Sequence, residues 1–155
     1  MTPFPPVAVP FPASVWIAAR LLPACVGSSE LDRLLAMATP PPGASAYREF
    51  SAQAIVSAVK RAARRPWVMR DRRCLREGLL AFRYLSLAGH RPQLHFALEP
   101  GSLSDGRLSA HCWITVGGEV LMNPPTPTMM LLFVWDGARM TKPEGMADAT
   151  VNSHG

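Results

Sequence analysis

The sequence predicts an α+β domain in which helices come first and an antiparallel sheet packs on the last of them. Three observations carry this. Before Gly89 the apolar residues recur at helical spacing, and after it they alternate. The segment from Cys74 to about Ala88 is apolar on nearly all sides, so its helix should be buried. The segments after Gly89 are short, strand-like and separated by Gly, Ser, Asp and Pro, as in an α+β chain.

In chain order, 1–12 is a proline-rich arm with five prolines, expected to be extended. Helices are then expected across 13–66. The first covers Ala13–Leu22 and ends near Pro23. The second is capped by Ser28 or Ser29, shows Leu31, Leu34, Leu35 and Ala38 on one face, and stops at Pro40-Pro41-Pro42-Gly43. The third spans roughly Ala46–Arg64, with Ile55, Val56, Val59, Ala62 and Ala63 facing inward, and stops at Pro66. After the linker Trp67–Arg70, Asp71 is the expected N-cap of the buried helix, which places Cys74 in its first turn. Gly78 lies one turn later on the same face, where a missing side chain leaves room for another element or a substrate. Strands follow at Gln93–Leu98, Leu108–Val116, Glu119–Asn123 and Met129–Trp135, completing a core region 67–135. The polar tail, 136–155, is expected to be loose.

The chain of 155 residues suits one domain with a real core, and 48% hydrophobic content excludes a disordered chain. Cys25, Cys74 and Cys112 are odd in number and irregularly spaced, which argues against a disulfide framework or zinc site and for a reducing cytoplasm. No metal and no cofactor is expected. The stretch Ala13–Val26, broken by Arg20 and Pro23, is short for a membrane span, and the proline-rich start lacks the charged opening of a signal peptide. Net charge is +5, which permits an acidic partner. Eight of the sixteen basic residues fall between Lys60 and Arg76, beside one acid, Asp71. This run is read as a solvated face or as a surface for an acidic partner. Without interleaved aromatics it is a poor platform for nucleic acid.

Cys74 and His111 are the residues with chemistry to offer. A thiol in the first turn of a helix meets the positive end of the macrodipole, and Arg72, Arg73 and Arg76 flank it. A strand histidine later in the chain can act as its base. The bland alternatives are a small core cysteine and a core histidine bonded to a carbonyl. Trp113 shares a strand face with His111 and either shields the imidazole or belongs to the core. His95 shares a face with Gln93 and is a candidate for the cleft wall. Cys112 points to the opposite face and reads as core. An imidazole acting as base needs an acceptor on its other nitrogen, and Asn123 is the candidate through its side-chain oxygen, ahead of Asp105 and Glu119. Register decides whether it can serve. A two-residue loop at Gly117-Gly118 pairs residues 112 and 123 and sets His111 and Asn123 on opposite faces. A three-residue loop or a bulge brings them to one face.

The run Cys74-Leu75-Arg76-Glu77-Gly78-Leu79-Leu80, then Gly89, Leu94-His95-Phe96, Ala110-His111-Cys112-Trp113 and Gly118 resembles the leader peptidase of lasso-peptide biosynthesis, the transglutaminase-like B protein in its stand-alone form. The resemblance covers about 67–127. It implies a papain-like/transglutaminase-like fold with 67–135 as catalytic core. It implies a Cys-His-Asp triad that cuts the leader from a ribosomally made precursor peptide. It also implies two partners, a small leader-recognition protein and a lasso cyclase. Cys74 matches the nucleophile and His111 the base, while the family's aspartate falls at Asn123. Gly78, His95 and Trp113 are the residues expected to touch substrate. The alternatives are a non-catalytic precursor-binding scaffold of the same fold and a Cys-His transamidase or deamidase.

Overall fold

The computed structural model describes residues 3–26, 30–64, 72–103 and 109–144. Their order is α1 (Phe11–Val26), α2 (Leu31–Ala38), α3 (Ala52–Ala63), α4 (Arg73–Leu87), β1 (Pro92–Leu98), β2 (Ala110–Val116), β3 (Glu119–Met122), β4 (Met130–Trp135) and β5 (Met140–Thr141). The strands form one antiparallel sheet in the order β3-β2-β1-β4-β5. Helices first and sheet second is the α+β arrangement that the periodicity predicts. Among the described residues no helix is long and apolar enough to cross a membrane.

Helix α4 organises the fold. Leu79, Leu80, Ala81 and Leu85 are fully buried, between the other helices and the sheet. The cap expected at Asp71 lies outside the described residues. Arg72 stands at the N-cap position and makes no side-chain cap bond. The helix forms regardless, because a missing cap costs about 1 kcal/mol whereas each fully buried Leu or Phe contributes about 1.5–3 kcal/mol. The buried Arg76 guanidinium donates from Nη2 to the carbonyl of Ala63 at 2.6 Å, fixing the last residue of α3 against α4. The buried Tyr84 hydroxyl and Ser14 Oγ lie 2.7 Å apart and join α4 to α1.

Several boundaries differ from the expectation. Helix α1 continues through Pro23 to Val26. Proline inside a helix costs about 3 kcal/mol, and burial of Leu22 and Val26 on one face offsets it. Helix α3 starts at Ala52 rather than near Ala46, because Ser51 caps it by accepting from the Ala54 N–H at 3.2 Å. The proposed Ser28 or Ser29 cap of α2 falls outside the described residues; Glu30 holds the N-cap position without a side-chain bond. The arm is docked rather than extended. Phe4 is buried with its ring edge-on to Tyr84, and the Tyr47 hydroxyl donates to the Val9 carbonyl at 2.7 Å. Part of the expected loose tail forms β5, paired to β4.

Gly78 sets how closely α4 approaches the sheet. A Cβ there would lie 2.8 Å from Leu94 Cδ1 and 3.3 Å from Cys112 Sγ, and both side chains are themselves buried. Of the two occupants expected over Gly78, it is the sheet that fills the space. Alanine would gain about 1 kcal/mol of helix propensity but over-packing a closed core costs about 1–3 kcal/mol. Gly78→Ala should therefore lower stability by up to about 2 kcal/mol in urea unfolding. An unchanged or raised midpoint would mean that the contact is loose.

Candidate active site

The first turn of α4 rests against the start of β2. Cys74, its second residue, places Sγ 3.8 Å from the carbonyl oxygen of Ala110, to which the thiol donates. Two clefts open at this point. One, of about 480 Å³, is lined by Lys60, Arg73, Cys74, Glu77, His111 and Asn123. The other, of about 420 Å³, is walled by Leu31, Leu75, Phe96, Ala110 and Cys112, with Arg72 at its side. Cys74 and His111 belong to both.

The thiol's surroundings favour its ionised form. The Cys112 thiol donates a hydrogen bond to it, as do the backbone N–H groups of Cys112 and Leu75, and a protonated His111 adds positive charge. Burial opposes these and is outweighed, so that the Cys74 pKa falls to about 6. The Cys112 thiol moves the opposite way, well above its ordinary value, since giving up its proton would remove that bond and bury a second charge beside the first. A thiol with a pKa near 6 is mostly thiolate at neutral pH, the form that attacks carbonyl carbon.

The imidazole is held by a main-chain group. His111 Nε2 lies 2.9 Å from the backbone oxygen of Asn123. A carbonyl oxygen only accepts, so Nε2 carries the proton, and in the neutral ring Nδ1 keeps the lone pair. The expectation for Asn123 is its side-chain oxygen; the structure uses the carbonyl instead, and among the described residues the side-chain Nδ2 is buried without a partner. Position 123 has φ 54°, a left-handed conformation that asparagine tolerates better than most residues. Two features of the hairpin bring it there. Gly117 and Gly118, with φ 59° and 84°, form a two-residue loop that pairs Val116 with Glu119. A bulge at Leu121 then shifts the register, so that Thr115 pairs with Val120 but Ile114 with Met122. The bulge is one of the two devices that bring His111 and Asn123 to one face of the sheet.

Trp113 and His95 stand behind the imidazole rather than in the clefts. Trp113 is buried and stacks on His95 at 4.9 Å and on His111 at 6.3 Å between ring centroids. His95 Nε2 meets Thr115 Oγ1 at 2.9 Å, and burial lowers its pKa. The cleft-wall position expected for His95 is thus taken by other residues, and the three rings form a row across one face of the sheet. Gly78 lies beneath the sheet, away from the cleft walls. Asp105 is outside the described residues, and Glu119 sits at the hairpin turn.

Two further residues matter here. Cys112 was read as core, and it is buried, but its thiol faces the helix that carries Cys74. Strand alternation already placed it on that face. Glu77 lines the charged cleft and pairs with Arg73 at 2.8 Å, an i,i+4 pair visible in the sequence.

An α+β domain with a lowered-pKa thiol at a helix N-terminus and a strand imidazole fixed by hydrogen bonding has the outline of a cysteine-dependent acyl-transfer fold. Comparison with protein families agrees at the level of family. The transglutaminase-like superfamily model matches residues 15–131, and the chain belongs to that superfamily. No curated protein and no solved structure matches the chain significantly.

Substitutions at two positions probe the geometry. Alkylation of Cys74 followed by mass spectrometry should show a rate that rises with pH through a midpoint near 6, whereas Cys112 should stay inert. Cys112→Ala removes the donor and should move the midpoint upward, with Cys112→Ser restoring part of the shift; an unmoved midpoint would contradict the thiol–thiol bond. Asn123→Gly keeps the left-handed carbonyl and should leave the Cys74 profile nearly unchanged. Asn123→Val, strained at this φ by about 1–3 kcal/mol, should disturb it. Equal damage by both would point back to the side chain.

Proposed function

We propose that this protein is a cysteine peptidase that removes the leader from a ribosomally made lasso precursor. The observation that carries the reading is the Cys74 thiol, favoured as thiolate and sharing two clefts with an imidazole whose Nε2–H is committed to the Asn123 carbonyl. Membership in a superfamily that includes cysteine peptidases supports the class. The motifs around Cys74 and His111, which resemble the lasso leader peptidase, support the substrate.

In the proposed reaction the Cys74 thiolate attacks the carbonyl carbon that precedes the core peptide. The backbone N–H of Cys74 at the helix start donates to the oxyanion. Protonated His111 gives its Nδ1 proton to the leaving amine as the C–N bond breaks, leaving a thioester on Cys74. His111 Nδ1 then takes a proton from water, which attacks the thioester and releases the leader carboxylate and the thiolate. The new amine of the core peptide goes to the cyclase. A separate leader-recognition protein delivers the precursor, and the exposed cations at the end of α3, Arg61 and Arg64, are the surface offered to an acidic partner.

The test is mass spectrometry of a precursor peptide incubated with the protein and the recognition protein, with wild type beside Cys74→Ala. The expected result is a leader-sized fragment from wild type alone, with at least a hundredfold loss of rate in the variant. Intact precursor from a folded wild type that binds it would favour a precursor-holding scaffold. A mass change of about one unit at a glutamine would favour a deamidase.

A further inference from the structure

The two clefts lie on opposite sides of Cys74, and their walls differ in chemistry. On α4, successive residues are about 100° apart, so Arg73 and Leu75 flank Cys74 on either side, and Glu77 lies on the Arg73 side. The sheet repeats the division. Asn123, just after β3, faces one cleft, and Phe96, on β1, faces the other; β2 runs between those two strands. A peptide whose carbonyl reaches Cys74 therefore extends across β2, with one flank toward β3 and the other toward β1.

The β3-side cleft holds two cations, Lys60 and Arg73, against one carboxylate, Glu77. Glu77 is buried and paired with Arg73. Lys60 is exposed and forms no ion pair among the described residues, so the excess positive charge of this cleft sits on its ammonium. The β1-side cleft offers the side chains of Leu31, Leu75, Phe96, Ala110 and Cys112, so its walls are mainly apolar, with the exposed Arg72 at its side. An acidic side chain meets an unpaired cation on the first flank, where a basic one meets a like charge. An apolar side chain removes apolar surface from water on the second.

We infer that the site selects peptides with an acidic side chain on one flank of the scissile carbonyl and an apolar side chain on the other, Lys60 being the residue that reads the acid. This rests on the peptidase reading above and names the substrate class for that site. Lys60 is thereby a specificity residue and takes no part in the chemical step.

The test uses fluorescein-labelled octapeptides that differ only at the two positions flanking the central peptide bond, carrying Asp, Lys or Ala at one and Leu or Ser at the other, in both orders. Binding to full-length Cys74→Ala is read by anisotropy, and cleavage by wild type is read by mass spectrometry. In one of the two orders the Asp/Leu peptide should bind at least tenfold tighter than Lys/Leu and severalfold tighter than Asp/Ser. Lys60→Glu, on an exposed helix position, should reverse the Asp-over-Lys preference, while Leu31→Ser should erase the Leu-over-Ser preference and leave the charge preference intact. Equal binding of Asp and Lys peptides in both orders, or a preference that Lys60→Glu leaves unchanged, would overturn the inference. Binding decides this point independently of catalysis: selective binding without cleavage would count against the peptidase reading and leave the specificity of the clefts standing.

Discussion

The docking of the first turns of α4 on the backbone of β2 is the constraint on which the site depends. Gly78 permits it, since any side chain there would meet Leu94 and Cys112. The burial of Leu79, Leu80 and Leu85 drives it. Once the helix is seated, the Cys74 sulfur comes within reach of the Cys112 thiol and N–H, which favour the thiolate, while the Ala110 carbonyl, an acceptor, favours the protonated thiol and is outweighed. The lowered pKa of Cys74 is thus a product of core packing. The close contact at Gly78 fixes how near the first turns of the helix lie to Leu94 and Cys112.

Main-chain groups do much of the work around the reactive pair. The N–H groups of Cys112 and Leu75 stabilise the thiolate, and the carbonyl of Asn123 fixes the imidazole. A neutral carbonyl can orient a ring and hold its tautomer. It compensates an imidazolium less than a carboxylate does, so this site is expected to rely more on the thiolate itself as the partner of the His111 charge. The Asn at position 123 then reads as a choice of backbone conformation: the bulge at Leu121 and the left-handed φ aim the carbonyl, and asparagine accepts that φ. Behind the ring, the stack of Trp113 and His95 limits its rotation by packing alone.

The buried helix was legible in the sequence because its apolar pattern persists over about four turns, and the strands because short alternating runs are bounded by turn residues; Cys74 falls in the first turn of that helix. What was not legible came from tertiary contacts. Pro23 looks like a stop, and only the burial of Val26 shows why the helix continues. The arm looks extended by composition, yet Phe4 finds a place beside Tyr84. β5 is two residues long and exists only because β4 offers an edge. At the site, the need for a bulge could be worked out on paper, but the use of the Asn123 carbonyl could not, since side-chain identity says nothing about which backbone oxygen a turn will aim. Cys112 faces inward and is buried, as strand alternation predicts; what alternation does not show is that its thiol donates to Cys74.

Backbone geometry sets the protons of Cys74 and His111, with Nε2–H of His111 bound to the Asn123 carbonyl and the lone pair of the neutral ring on Nδ1. Nitrogen-15 NMR of protein labelled at histidine, with His111→Gln to assign the signals, measures this directly. The account predicts that the neutral His111 ring shows a protonated Nε2 and an unprotonated Nδ1, and that Asn123→Gly retains this pattern. A neutral ring with its proton on Nδ1, or one whose tautomer is lost in Asn123→Gly, would contradict it.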